Sequence, residues 1–554
     1  MEDRRFYALF ALALLAAFLF RFYDLTNRPI HHDEGVIGWF KENILNACLY
    51  PDLGGLAEYA DRCGAAYNYH PDYHGPFEYL FGAWAFRLFG TSDFTLRAPE
   101  CLFNLLTVAL ILPLRKKLGD AGSLSAAALL AVSPSFVYFA QRAYMDNFFL
   151  FFSLAFVVCA VRFWDERKNL WLYLGAADLA LLFATKETAF IFLFTAASFA
   201  FFEYYYSQAK AGGVVARGRE AVYGLYGIVS ENRKAFLAGA ALFAFVYAFV
   251  FSTMFADVLH GLAQGTLLAD ARAAFDYSRP DALFGNPYDD VFSGLSGGLT
   301  FWISRSTSWE GHIKPAGYYL WLLINYEPAV FALFSLALLA WGGIAARRFM
   351  GDGGAGLFRG RESVARFFAW WAASTLAIFA LIPYKTPWLD VHMVLPMAIF
   401  AGLAVDELWN RAGGALKMGA MTAFAVLLLV SAFMAWDITY ARYADGNVGL
   451  VYVSGLDDYK RLTAKIDAAA ERFDGLDTEI AIVSTDQWPL AWSLRDYRRV
   501  VCWGGACASG LAAPIIVSSR TDYSEIREDA RPSYYPPERF EMRPGAVVYL
   551  YVRR

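Results

Sequence analysis

Ionisable side chains gather in a few short stretches of this sequence. The densest is His31-His32-Asp33-Glu34. Adjacent carboxylates beside imidazoles can supply a general base or seat a divalent metal, because both roles need groups that accept a proton or a cation near neutral pH. The plainer reading of the same stretch is a polar loop after a helix. Tyr69-His70-Pro71-Asp72-Tyr73-His74 adds two more imidazoles and a carboxylate. Arg142 and Asp146 follow, with Asp146 either a site residue or the cap of the next helix. Two lysines close the set: Lys186, beside Glu187, and Lys385, in Tyr384-Lys385-Thr386-Pro387-Trp388. A lysine at a membrane face either snorkels to headgroups or holds a lipid phosphate as it leaves. Both readings stand for Lys186. For Lys385, in an otherwise apolar hairpin, phosphate is the better match.

Membrane-spanning helices must position these groups. The 554 residues are 58% hydrophobic and 18% charged, and the mean hydropathy is +0.36, whereas soluble chains carry about 25% charged residues. With a net charge of -4 there is no basic excess for a phosphate backbone, which argues against a nucleic-acid partner. About eleven apolar runs are long enough to cross some 30 Å of hydrocarbon. They lie near 6–23, 96–114, 121–140, 147–163, 170–184, 187–206, 235–256, 317–345, 366–382, 388–405 and 418–436. Arg4 and Arg5, Arg115 to Lys117, Arg162 to Lys168, and Arg347 to Arg366 fall in alternate connections, while Arg142, Lys186 and Lys385 stand singly between them. The rule that positive loops stay inside therefore puts the N-terminus in the cytoplasm and every histidine on the outer face or at an outer span end.

Residues 24–95, 257–316 and 437–554 are too polar to span. The first two read as long outer loops, with 79–90 as a helix lying in the interface. The last alternates like a small α/β domain, with LDDYKRLTAKIDAAAERF as an amphipathic helix and EIAIVS, APIIVSS and AVVYLYV as strands. Cys48 with Cys63, and Cys502 with Cys507, fall on the oxidising side, where either two disulfides or four free thiols are expected. The expected fold class is thus mainly α: a polytopic transmembrane bundle over 1–436 with extracytoplasmic loops, and an extracytoplasmic α/β domain over 437–554.

Taken in order, His32-Asp33-Glu34, Tyr69-His70-Pro71, Arg97-Ala98-Pro99, Ser133-Pro134 with Arg142 and Asp146, and Thr185-Lys186 resemble the GT-C superfamily of polytopic glycosyltransferases. That superfamily includes protein mannosyltransferases, aminoarabinose transferases and oligosaccharyltransferases. Farther on, Tyr384 to Trp388 and Gln487-Trp488-Pro489 with Trp492 are similar to its flippase-activity-associated subfamily. The resemblance implies a polyprenyl-phosphate-sugar donor and transfer to a glycan, lipid or protein acceptor on the outer face of the cytoplasmic membrane. It implies Asp33 as general base, supported by Glu34 and Asp146. His32, Tyr69, Arg142, Lys186, Lys385 and Trp388 would bind substrate, and a divalent metal would sit on Glu34, His70 and Asp146. His70-Pro71-Asp72 departs from the His-Pro-Pro of related enzymes.

Two further readings compete. One is a flippase or transporter component for polyprenyl-linked glycans, although such proteins place ionisable groups near the bilayer midplane. The other is a scaffold whose tail binds glycans through Trp488, Trp492 and Trp503.

Overall fold

The computed structural model describes residues 2–49, 58–59, 62–63, 74–207, 213–256, 258–259, 262, 303–304, 312–348, 358, 360–484, 486–502, 511–521, 526 and 528–554. Tyr69, His70, Trp503 and Cys507 lie outside the described residues, as does most of the 257–316 loop.

The chain is an integral membrane protein. Among the described residues, seven helices are long and apolar enough to cross a bilayer: Asp3–Phe22, Asp93–Leu118, Asp146–Glu166, Arg233–Phe251, Arg361–Leu381, Pro387–Arg411 and Gly414–Ala441. Two bent pairs raise the number to nine, and shorter apolar helices at 169–183 and 189–205 occupy the two places left among the apolar runs.

Bending corrects the expectation of straight spans at 121–140 and 317–345. The first is broken by 57° between Asp120–Val132 and Pro134–Ala140, and the second by 109° between Tyr326 and Pro328. Each proline removes a backbone donor and clashes with the preceding turn. The two breaks clip together: Glu327 Oε1 accepts from Ser133 Oγ at 2.7 Å, from Ser135 N at 2.8 Å and from Ser135 Oγ at 2.5 Å.

Two short helices and two spans carry the site. We label them α1 (His32–Ile44), α2 (Phe77–Phe89), α3 (Asp93–Ala109) and α4 (Asp146–Glu166). α1 starts where His31 and Glu34 form a capping box, with Asp33 and Glu34 in a first turn that favours negative charge. Lys41 ties it down: its Nζ lies 2.8 Å from Glu100 Oε1 on α3 and 3.3 Å from Glu78 Oε1 on α2, and all three side chains are buried. Cys48 and Cys63 are disulfide-bonded, which fastens the loop between α1 and α2. Cys502 is disulfide-bonded as well.

The C-terminal domain is a five-stranded mixed sheet of β1 (Ile480–Val483), β2 (Val500–Val501), β3 (Ile515–Ser518), β4 (Glu538–Arg543) and β5 (Ala546–Val552), in the order β2-β1-β3-β5-β4. β1 and β3 are parallel and fully buried, which is why they read as unbroken apolar runs. The amphipathic helix Asp457–Ala470 buries Tyr459, Leu462 and Ile466.

This domain docks on α1 through two glycines. Residues three apart share a helix face, and Gly35 and Gly38 meet Pro489 and Trp492 there. A Cβ at Gly38 would lie 2.5 Å from the Trp492 ring, and one at Gly35 would lie 2.6 Å from Pro489 Cβ. Trp492 cannot retreat, being fully buried, stacked on Phe86 at 5.6 Å and donating through Nε1 to Asp93 at 2.8 Å. It is therefore a docking residue and not an exposed glycan-binding aromatic. Gly38→Val should cost about 1–3 kcal/mol by overpacking and release the domain. Faster limited proteolysis between 437 and 456, with loss of transfer, is the expected readout. Unchanged proteolysis would show that the contact does not hold the domain.

Candidate active site

Where α1 begins, the helix period separates two adjacent carboxylates by about 100°. Glu34 turns inward and is fully buried. Arg97 donates to it twice, Nε to Oε1 at 2.7 Å and Nη2 to Oε2 at 2.8 Å. Arg142 Nη1 adds a bond at 3.4 Å, and the backbone N–H groups of Ala143 and His31 add others at 3.1 and 2.9 Å. Burial alone would raise the Glu34 carboxyl, but Arg97 and Arg142 outweigh it and hold the group well below the usual carboxylate range.

Asp33 turns the other way. Its side chain is 42% exposed, its carboxylate accepts no hydrogen bond among the described residues, and Nδ1 of the His31 ring lies 3.8 Å away. It faces a cleft of about 930 Å³.

His31 fixes this geometry as a neutral ring. Its Nδ1 accepts from Asp33 N–H at 3.0 Å, so the proton resides on Nε2, which donates to the Tyr452 carbonyl at 2.9 Å. Burial, helped by Arg142, lowers its pKa from 6.5 to about 4. The stability this gives is full above pH 6.5 and is lost as pH falls through 4, an effect of about 3 kcal/mol. Melting curves of wild type and His31→Gln should therefore diverge between those limits, with wild type falling faster on acidification. Parallel profiles would refute a neutral buried His31.

The membrane side of the cleft holds a second charged group. Asp146 opens α4, and both its oxygens accept from Lys186 Nζ at 2.8 Å. His392 Nε2 lies 2.6 Å from Asp146 Oδ1, and its ring stacks on Phe149 at 4.4 Å. Lys186 sits in a turn stitched to the segment that leads into α2: Gly75 N–H donates to the Thr185 carbonyl at 3.2 Å and Phe77 N–H to Ala184 at 2.9 Å. Only glycine fits at 75, since a Cβ there would lie 2.0 Å from the Ala184 carbonyl oxygen. His74 Nδ1 pairs with Glu187 Oε2 at 3.0 Å beside it.

Of the residues expected at the site, His32, Asp33, Asp146, Lys186 and Trp388 line the cleft. Trp388 packs between Tyr144 at 5.0 Å and Tyr452 at 5.9 Å. Glu34 and Arg142 lie behind the wall: Arg142 is buried and also donates to Tyr138 OH and Ser454 Oγ. Lys385 is turned away, its ammonium donating to the Ile382 carbonyl and its backbone N–H to His312 O at 2.9 Å. Glu34 accepts from Arg97 and Asp146 from Lys186, His70 lies outside the described residues, and no group of three or more side chains placed to hold a metal occurs among those described.

Sequence reasoning passed over His392, Tyr452 and Arg543 as site residues. A histidine inside an apolar span was a usable signal for His392. Tyr452 and Arg543 come from segments joined to the cleft only by the tertiary fold.

Residues 73–212, about a quarter of the chain, match the dolichyl-phosphate-mannose-protein mannosyltransferase family. No curated protein matches the chain. Among solved structures, ArnT from Cupriavidus metallidurans bound to undecaprenyl phosphate is similar at 15% identity and a TM-score of 0.56, over 99% of this chain and 98% of that one. The oligosaccharyltransferase AglB from Archaeoglobus fulgidus, in complex with an inhibitory peptide and a dolichol-phosphate, is similar at 14% identity and a TM-score of 0.53, over 98% of this chain and 74% of that one. A complex of the Archaeoglobus fulgidus oligosaccharyltransferase with Zn and sulfate is similar at 12% identity and a TM-score of 0.51, over 98% and 72%. The chain has the fold of these enzymes, the GT-C architecture.

Proposed function

We propose that the chain is a membrane glycosyltransferase that moves a sugar from a polyprenyl-phosphate donor to a hydroxyl-bearing glycan, lipid or protein acceptor, with inversion. The observation that carries this reading is Asp33, half exposed and unbonded on a cleft whose membrane side presents Lys186. One-step displacement needs one carboxylate to take the acceptor proton and positive charge to receive the departing phosphate. Asp33 takes the hydroxyl proton, the hydroxyl oxygen bonds to the anomeric carbon, and the bond from that carbon to the phosphate oxygen breaks. Lys186 meets the charge that develops on the phosphate. Asp146 and His392 keep the Lys186 ammonium in one place, so little reorganisation is needed when the charge appears.

The similarity to structures that contain undecaprenyl phosphate and dolichol-phosphate supports the donor class, and the match to the mannosyltransferase family supports the reaction class. The membrane part over 1–436 would carry the reaction, and the domain over 437–554 would stand outside the cytoplasmic membrane, with the N-terminus inside. The Tyr384 to Trp388 and Gln487 to Trp492 motifs resemble those of the flippase-activity-associated subfamily and support membership in it. A divalent metal is compatible with a fold that has been solved with Zn, but Glu34 and Asp146 are engaged elsewhere and no step here runs through one.

The test is transfer of radiolabelled sugar by purified protein from a panel of polyprenyl-phosphate sugars to membrane extract. Turnover with one donor is expected. No turnover with any donor, together with lipid movement between leaflets in vesicles, would replace this reading with a flippase.

A further inference from the structure

The cleft has a second wall that does not come from the membrane helices. Trp488 and Arg543 of the C-terminal domain line it, together with Tyr452 and Val453 from the connecting segment. Arg543 ends β4 at a register shift between Glu541 and Arg543. Irregularities of this kind re-aim a side chain out of the ladder. Asp486 accepts from Arg543 Nη2 at 2.6 Å, which fixes the plane of the guanidinium.

That single bond leaves the rest of the group unused. Among the described residues, Arg543 Nε is buried without a hydrogen-bond partner, and so is His32 Nδ1. Both side chains line the same cleft, and Asp33, Arg543 and Asp486 act on the His32 ring electrostatically. Two polar nitrogens shut off from water without partners are costly. They are explained when something entering the cleft supplies the acceptors. A guanidinium offers a planar fork of donors suited to phosphate or carboxylate. His32 also precedes Asp33, so whatever these two groups hold lies next to the proposed base.

We propose that Arg543 and His32 form a subsite for an anionic group of the substrate, a phosphate or a carboxylate, with Trp488 as an apolar surface beside it. The C-terminal domain thereby takes part in substrate recognition. The proposal deepens the glycosyltransferase reading and rests on it for the word substrate. The anion has two possible sources: the phosphate of the lipid-linked donor, or a charge carried by the acceptor.

Binding of inorganic phosphate to purified full-length protein, followed by phosphorus NMR line broadening, tests the subsite without any turnover. Arg543→Gln should weaken binding by about tenfold or more, and Arg543→Lys should retain part of it. Equal melting temperatures of the three proteins would establish that the loss is local. Steady-state transfer then separates the sources. A rise in donor KM in Arg543→Gln, with kcat held, assigns the anion to the lipid phosphate; a rise in acceptor KM assigns it to the acceptor. Equal phosphate binding by wild type and Arg543→Gln overturns the subsite. Phosphate binding that depends on Arg543, in a protein that transfers no sugar from any donor, would keep the subsite and overturn the glycosyltransferase reading instead.

Discussion

Asp33→Asn should lower sugar transfer by about 10²–10⁴-fold, the range that a positioned general base contributes, while the variant folds and melts like wild type. Asparagine has nearly the same shape and cannot take a proton at neutral pH. The fold does not depend on the Asp33 carboxylate, which is 42% exposed and stands 3.8 Å from Nδ1 of the neutral His31 ring. What the residue gives the fold is its backbone N–H, which caps α1 on His31 and survives the substitution. Turnover of labelled sugar and a melting curve on the same preparation decide the matter. Transfer within a factor of two of wild type would remove Asp33 from the reaction and move attention to the other carboxylates of the cleft.

Arg97→Met should fail in the opposite way, by loss of folded protein. The Arg97 guanidinium is fully buried and spends its remaining donors on the carbonyls of Leu25, Arg28 and Pro29. Removing it leaves Glu34 in the interior with Arg142 at 3.4 Å as its remaining cation. Breaking one side of a buried ion pair costs about 3–5 kcal/mol, because the orphaned charge stays where water cannot reach it. Yield of monodisperse protein and thermal unfolding in detergent are the measurements. A variant that purifies normally and melts within a degree or so of wild type would mean that Glu34 is not anchored as its contacts indicate. Together the two substitutions divide adjacent acids into one that serves the cleft and one that serves the fold.

That division is what the sequence could not express. His31 to Glu34 stand out as a charged stretch after an apolar run. Which acid faces the cleft depends on Arg97, 63 residues further on, and on the domain that covers the next turn of the helix. The apolar runs are legible because hydropathy is local, and a helix is found at each of them. The breaks at Ser133 and Glu327 vanish in the same averaging, although the following prolines mark them. β4 escaped notice because ERFEMR buries only Phe540 and Met542 between charged outward residues, the pattern of an edge strand. The tryptophans of the tail show the reverse error. Trp492 reads as an exposed ring until it meets Gly38, a residue whose lack of a side chain means nothing in isolation.

The docking of Trp492 also sets a condition on how the protein comes into being. Trp492 and its hydrogen-bond partner Asp93 are separated by 399 residues, which takes about 20 to 80 seconds to synthesise at ~5–20 residues per second. Throughout that interval the helix bearing Asp33 has its glycine face bare, and the cleft lacks the wall that Tyr452, Val453, Trp488 and Arg543 supply. The proposed transfer therefore has no complete cleft to run in until the tail folds. The cleft is completed only when the tail has folded and closed over α1. Ribosomal stalling anywhere before that point leaves a chain without its complete cleft.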